Sequence, residues 1–375
     1  MEFWIIGVVN KRRVKYWVQT VKNLKHPIKI FAYQEFIESS LVKVDNQVTI
    51  RIESPSEDFE TDRFLLKQGI KQARVSKSDI DQLKFDKGII RYSSQWYKGW
   101  LLTLNQIQEK VNAIKNIKFM NSPNAIALMF DKLNCQKHLS NNSIRVPENY
   151  GQIESYDHLQ TLVMKHKVGR LFIKPFYGSS ASGVMAYQTN SSGRESIVSS
   201  IELVTSESSN RLYNNLKIRR YNNKQDIKSI INLMAENRIY CEAWIPKKSV
   251  NGMVSDIRVL VINNKACHFV LRKSKSPITN THLGNVKADI NDAIVNWGQN
   301  LVDKIKNIAE DAAKTFPDSF YCGVDIAVSN ANKAYILEVN AFGDLLLDNY
   351  HEGLNTYEME LKEWQNKYHI IYNLR

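Results

Sequence analysis

The four cysteines, at positions 135, 241, 267 and 322, lie far apart and form no CxxC pair. That spacing argues against a zinc site or a disulfide framework and fits a reducing cytoplasm, the expected location. No apolar run approaches the ~20 residues of a membrane span. The start, Met1-Glu-Phe-Trp-Ile-Ile-Gly-Val-Val, is too short for a signal peptide and lacks its basic n-region, so it reads as a first buried strand. No zinc-finger or RNP-type sequence is present, which argues against nucleic acid as a partner, and no membrane partner is expected. There is no internal repeat.

What is there is globular material with a basic surplus. The 375 residues suit two or three domains with real cores. Hydrophobic residues make up 43% and charged residues 24%, which places the chain among ordinary globular proteins. A formal net charge of +13 and a pI near 9.3 favour anionic partners such as nucleotides, phosphorylated metabolites or acidic peptides. Lys and Arg are spread along the chain, however, with short clusters at Lys11-Arg12-Arg13 and Arg219-Arg220. A generally basic surface is the first reading.

Residues 3–9 read as a buried strand and 14–24 as the helix after it, closed by His26-Pro27. Residues 28–33 and 48–53 alternate as further strands, so a small α/β domain is expected over 1–120. Asn121-Ser-Pro-Asn124 is a turn and helix-start signal, and one helix is expected over 125–139. Strands follow at 170–174 and 183–187. The polar, serine-rich stretch 190–215 reads as irregular. A helix over 226–236, strands at 238–244, 256–262 and 265–272, and one helix over 291–314 complete two further domains, set at 121–240 and 241–375.

Two segments carry chemistry. Tyr321–Asn340 reads as two apolar strands joined by a polar turn. Glu338 and Asn340 alternate on one face, and Asp325 joins them if the strands pair. Three oxygen donors on an apolar hairpin suit a hard cation such as Mg²⁺; taken alone, the pattern also fits two solvated acids on a turn. Upstream, the strand Leu171-Phe-Ile-Lys-Pro175 runs into the loop Phe176-Tyr-Gly-Ser-Ser-Ala-Ser-Gly183 and then a second strand. A loop between two strands, without GKS or GKT, is not a Walker A loop. It suits a cover whose N–H groups and hydroxyls fold over phosphates, with Lys174 as a point charge at its base; an ordinary hairpin turn is the alternative. Glu242, Asp256, Arg258 and Arg272 then appear at the edges of successive apolar strands, and Asn280 and His282 in a polar loop.

In this order the motifs resemble the ATP-grasp superfamily over residues 120–345, most closely the RimK-like carboxylate–amine ligases. The resemblance implies an α/β (α+β) ATP-grasp fold with an N-terminal Rossmann-like pre-ATP-grasp domain. Asp131-Lys132 resembles the family's Asp-Lys helix, whose lysine reaches nucleotide phosphates. Lys174 resembles the second ATP lysine, and Gly178, Ser179, Ser180, Ser182 and Gly183 the phosphate flap. Glu242-Ala243-Trp244 resembles the hinge that holds adenine and ribose, and Asp256-Ile-Arg258 the Asp-Ile-Arg strand. Arg272, Asn280 and His282 resemble elements beside the acyl-phosphate. Asp325, Glu338 and Asn340 match the metal triad, for Mg²⁺ with Mn²⁺ as a substitute. The implied activity is activation of a carboxylate by ATP as an acylphosphate, followed by transfer to an amine, with ADP and phosphate as products. An acidic peptide or an amino acid is an attractive substrate; a phosphotransferase, or a ligase forming an ester or thioester, is the alternative. His282 is expected to orient rather than act as general base.

Two segments depart from the RimK-type pattern: Ala341-Phe-Gly-Asp-Leu-Leu after the triad, and Leu283-Gly-Asn285. Both resemble a bacterial ATP-grasp subgroup, as does Arg51-Ile-Glu-Ser-Pro55 with Glu57 and Asp58. Arg51 and Glu53 are expected to border the substrate cleft.

Overall fold

The N-terminal apolar run forms β1 (Glu2–Ile6), which lies between β2 (Ile28–Phe31) and β3 (Val48–Ile52); β4 (Ile117–Phe119) completes a parallel sheet in the order β2-β1-β3-β4. A parallel sheet is covered on both faces, which explains why its strands read as continuous apolar runs. Phe3 and Ile5 pack with Trp17 of the helix Arg12–Asn23, whereas Trp4 and Ile6 pack with Trp100 and Leu104 of the helix Ser93–Asn112. This computed structural model describes residues 1–40, 44–55, 58–72, 74–178, 182–206, 209–346 and 348–368.

The second sheet is antiparallel. It contains β5 (Asn149–Ile153), β6 (Arg170–Pro175), β7 (Met185–Thr189), β8 (Glu195–Thr205), β9 (Asn210–Tyr221) and β10 (Ile239–Ala243), in the order β5-β10-β6-β7-β8-β9. Helices Tyr156–His166 and Lys224–Ala235 cover one face through Leu159, Ile227 and Ile231. The domain boundary set at 240/241 falls inside β10.

The third sheet runs β14-β13-β12-β15-β16 and is also antiparallel. Its strands are β11 (Ser249–Val250), which pairs with β12 (Met253–Ile262), then β13 (Lys265–Ser274), β14 (Val286–Ala288), β15 (Tyr321–Val328) and β16 (Ala334–Asn340). The helix Gln299–Lys314 packs on one face through Leu301, Ile305 and Ala309. Among the described residues, no helix is long and apolar enough to cross a membrane.

Three local expectations need correction. The stretch 190–215 is not irregular: it holds β8 and the first half of β9. Ser199 and Ser200 are buried and bonded, Ser199 Oγ donating to Val184 O at 2.7 Å and Ser200 Oγ to Asn214 Oδ1 at 2.8 Å, so a strand core of Ile197, Val198 and Ile201 was masked by polar composition. The helix expected over 125–139 is two, Pro123–Phe130 and Lys132–Asn141, broken at Asp131, whose carboxylate caps the second by accepting from Asn134 N at 3.0 Å. The helix expected over 291–314 is likewise Ile290–Trp297 and Gln299–Lys314, divided at Gly298 with φ of +86°, a conformation that glycine reaches without Cβ strain.

The first and third sheets are fastened by the helix Thr356–Lys367, which no sequence pattern announced. Trp364 packs edge-on to Phe320 at 4.7 Å and donates to Thr49 Oγ1 at 3.0 Å. At the same seam Arg51 is fully buried. Its Nε donates to Glu53 Oε1 at 2.7 Å, and its Nη1 pairs with Glu360. The rings of Trp17, Tyr321 and Tyr357 surround the guanidinium carbon at 4.2, 4.4 and 4.8 Å. Glu53 also accepts from Arg13 Nε at 2.8 Å. Buried charge survives only when paired, so this cluster fixes how the seam closes.

Burial pushes the Glu360 carboxyl up to about 7, and the Arg51 guanidinium offsets this only in part. The raised value means that protonation of Glu360 contributes stability fully present below about pH 4.5 and lost as pH rises through about 7. Relative to Glu360→Gln, the native protein is therefore expected to lose ~3 kcal/mol of unfolding free energy over this window. Urea unfolding of both proteins across the range checks this; a flat difference would refute it.

Candidate active site

A cleft opens between the second and third sheets. Its floor is set by strand register. Asp256 of β12 stands opposite Arg272 of β13, Arg258 of β12 opposite Asp325 of β15, and Asp325 opposite Glu338 of β16. The same face thus carries charge on four strands, opposite in sign at the first two pairs and like in sign at Asp325 and Glu338. Arg258 forks onto Asp325 through Nε and Nη2, the latter at 2.9 Å from Oδ2, while its Nη1 reaches Asp344 at 3.2 Å. Arg272 bridges Asp256 at 2.7 Å and Asp325 at 3.1 Å. Burial alone would raise the Asp325 carboxyl; Arg258 and Arg272 reverse that and hold it well below the usual range.

The opposite wall comes from β6 and β10. Lys174 Nζ lies 2.5 Å from Glu242 Oε1, and Glu242 Oε2 accepts from Gln136 Nε2 at 3.0 Å. Burial raises the Glu242 carboxyl, opposed by Lys174. Lys132 is the first residue of its helix, and its ammonium pairs with Glu338. The Asp131 cap and a bond from Lys132 N to Phe176 O at 3.0 Å fix where that lysine starts. At one side Ile278 and Leu283, in the loop after β13, pack against Phe172, Ala186 and Val198 of the second sheet.

Of the residues marked in the sequence, Lys132, Lys174, Gly178, Ser182, Glu242, Ala243, Asp256, Arg272, Asn280, Asp325 and Glu338 line this cleft. Arg258 lies beneath it, on Asp325. Asn340 stands beside Glu338: with its amide oriented to satisfy both neighbours, it donates to Glu338 Oε1 at 3.0 Å and accepts from Arg258 Nη2 at 3.2 Å. Trp244 is turned aside to pack on Phe172 at 5.1 Å. Gly183 serves a turn, with φ of +74° and Met234 Cε 2.7 Å from where a Cβ would sit. Ser179, Ser180 and Glu57 lie outside the described residues, as does the side chain of His282. Arg51 and Glu53, expected at the cleft, do not line it; they are consumed by the buried seam.

Two contributors were missed. Lys247 Nζ binds Asp256 Oδ2 at 3.0 Å and Thr279 Oγ1 at 2.8 Å, and both Lys247 and Thr279 line the cleft. Burial lowers the Lys247 ammonium, with Asp256 opposing. Nothing in its spacing marks Lys247; Thr279 adjoins the Asn280 loop already singled out.

Among the described residues no group of three or more His, Cys, Asp or Glu is placed to hold a metal ion. Asp325, Glu338 and Asn340 make a smaller set, two carboxylates and an amide, whose donor chemistry fits a hard cation completed by phosphate oxygens. A YheC/D-like ATP-grasp family model matches residues 116–344, more than half of the chain. The chain belongs to that family. A comparison with curated proteins finds no match. As a YheC/D-like ATP-grasp protein it shares its fold with distant solved structures. D-alanine–D-alanine ligase from Bacillus anthracis complexed with ATP is 11% identical, with a TM-score of 0.54 and 98% of this chain and 99% of that one covered. D-cycloserine synthetase is 9% identical, TM-score 0.53, covering 97% and 99%. The macrocyclase MdnC of Microcystis aeruginosa, bound with its precursor peptide, is 10% identical, TM-score 0.53, covering 98% and 100%. None of these likenesses singles out the RimK-type branch.

The charge network separates two substitutions. Asp325→Ala takes a carboxylate from two buried guanidiniums, leaving each with one acidic partner, and is expected to cost ~3–5 kcal/mol of stability. Glu338→Ala removes a more exposed carboxylate with one lysine partner and should cost under ~1 kcal/mol. Denaturant midpoints measure both, and equal losses would contradict the assignment of the buried pair.

Proposed function

We propose that the protein is an ATP-dependent ligase that activates a carboxylate as an acylphosphate and joins it to an amine. The observation that carries this is the convergence of Lys132, Lys174 and Arg272 with Asp325 and Glu338 on one cleft. Oxide is a prohibitive leaving group from a carboxylate. Transfer of the γ-phosphoryl group of ATP to a carboxylate oxygen, with ADP departing, replaces it by phosphate. The amine nitrogen then attacks the acyl carbon, loses its proton, and the C–O bond to phosphate breaks.

Each side chain has an assigned part. Lys132, Lys174 and Arg272 neutralise charge on the transferred group, a matter of positioning and electrostatics. Asp325, Glu338 and Asn340 are assigned as the residues that would hold Mg²⁺, which would supply positive charge against the phosphates. The apolar stretch Phe172, Ile245 and Leu337, next to the Glu242–Ala243 strand end, suits the adenine ring. Asn280 is assigned to orient the carboxylate and Arg258, beneath the cleft, to hold Asp325 in place; an orienting role for His282 rests on sequence alone. One structural neighbour carries ATP and another a precursor peptide, which supports a nucleotide together with an amino-acid or peptide carboxylate as substrates. The four free, buried cysteines support the assignment to the cytoplasm.

Product analysis tests the reaction. ADP release that requires both a carboxylate and an amine is expected; AMP and pyrophosphate would overturn the acylphosphate route. Lys174→Ala, Glu338→Ala and Asn340→Ala are each expected to lower turnover by about 10²-fold or more with the fold retained. Full activity in any one, with circular dichroism unchanged, removes that residue from the mechanism.

A further inference from the structure

Tyr97 lies in the helix Ser93–Asn112 of the N-terminal domain and does not line the cleft. It is nonetheless packed against the two backbone segments that carry the nucleotide-site lysines. Its ring stacks on that of Tyr177, with centroids 3.7 Å apart and planes 15° from parallel. Its hydroxyl donates to Ala127 O at 3.2 Å, in the helix that ends at Phe130, two residues before Lys132. Phe130 stacks on the same ring at 6.0 Å.

Tyr177 belongs to the root of the loop that follows β6, three residues after Lys174. Its hydroxyl accepts from Arg238 Nη1 at 3.0 Å. The adjacent Phe176 is bonded on both sides: its N donates to Arg238 O at 3.0 Å, and its O accepts from Lys132 N at 3.0 Å. Phe176-Tyr177 therefore ties the Lys174 strand to the first turn of the Lys132 helix, and Tyr97 is stacked on that tie. Lysine is a point charge on a flexible stem, so where it acts is set by how firmly its backbone is held.

We propose that Tyr97 is a positioning residue for the phosphate end of the nucleotide site, through which the N-terminal domain sets the spacing of Lys132 and Lys174. The proposal rests on the nucleotide reading above. It differs from simple interdomain packing in one respect: coupling is reciprocal, so a nucleotide that engages the two lysines must in turn steady Tyr97 and its helix.

Hydrogen–deuterium exchange on the full chain, with Mg²⁺ and the non-hydrolysable analogue AMP-PNP, reads this directly. Protection is expected in peptides containing Lys132 and Lys174 and also in the peptide spanning Tyr97. Tyr97→Leu, which removes the stack, is expected to weaken AMP-PNP binding about tenfold, and Tyr97→Phe, which keeps it, by no more than about twofold. Protection at both lysine peptides with none at Tyr97 overturns the proposal, as does a folded Tyr97→Leu protein that binds like the wild type. The wild-type exchange result stands even if Tyr97→Leu does not fold. Absence of AMP-PNP binding to the wild type overturns the nucleotide reading itself and this inference with it.

Discussion

Asp325 stays charged in a buried strand because two guanidiniums reach it at once. The cost of removing a carboxylate from water is several kcal/mol, recovered only with good geometry and full pairing. Arg258 and Arg272 provide that pairing, and they in turn need Asp256 and Asp344. Lys247 and Thr279 complete the second carboxylate. The whole set hangs on strand register: moving β13 or β15 by one residue would turn every partner to the other face. The sheet is thus the device that makes the charge row affordable, and the cleft inherits its polarity from it.

The second buried cluster, around Arg51, does a different job with the same physics. It has no part in the cleft, yet it joins β3 to the helix Thr356–Lys367 and, through Glu53 and Arg13, reaches the carbonyl of Phe342 in the turn just beyond Asn340. That turn also holds Asp344, a partner of Arg258. The N-terminal domain therefore bears on the site from two directions, by charge at this turn and by aromatic stacking at Tyr177.

Much of this was legible in the sequence, and the reason is local. Strand alternation put Glu338 and Asn340 on one face, and the Asp131-Lys132 and Lys174-Pro175 segments sit in the cleft where their motifs suggested. What escaped depended on partners far away in the chain. Arg51 was expected at the cleft because its segment resembles a feature of a bacterial ATP-grasp subgroup; its partner, Glu360, lies more than three hundred residues on. Lys247 has no pattern of its own and gains meaning only beside Asp256. Serines at 199 and 200 suggested an irregular segment because composition cannot show that their hydroxyls are bonded across strands. Asp131 and Gly298 each interrupted what looked like a single helix, and both are local signals that the apolar periodicity around them outweighed.

The helix Thr356–Lys367 lies wholly outside the stretch 116–344 that defines the family. Yet Tyr357, Leu361 and Trp364 share one core with Phe3, Ile5, Leu260 and Phe320. The core shared by the family's defining region is therefore finished by sequence from both flanks. A fragment excised at the family boundaries would leave Leu260, Ile262 and Tyr321, on the charge-bearing face of that sheet, bare to water, and it would be expected to clump before it could bind anything.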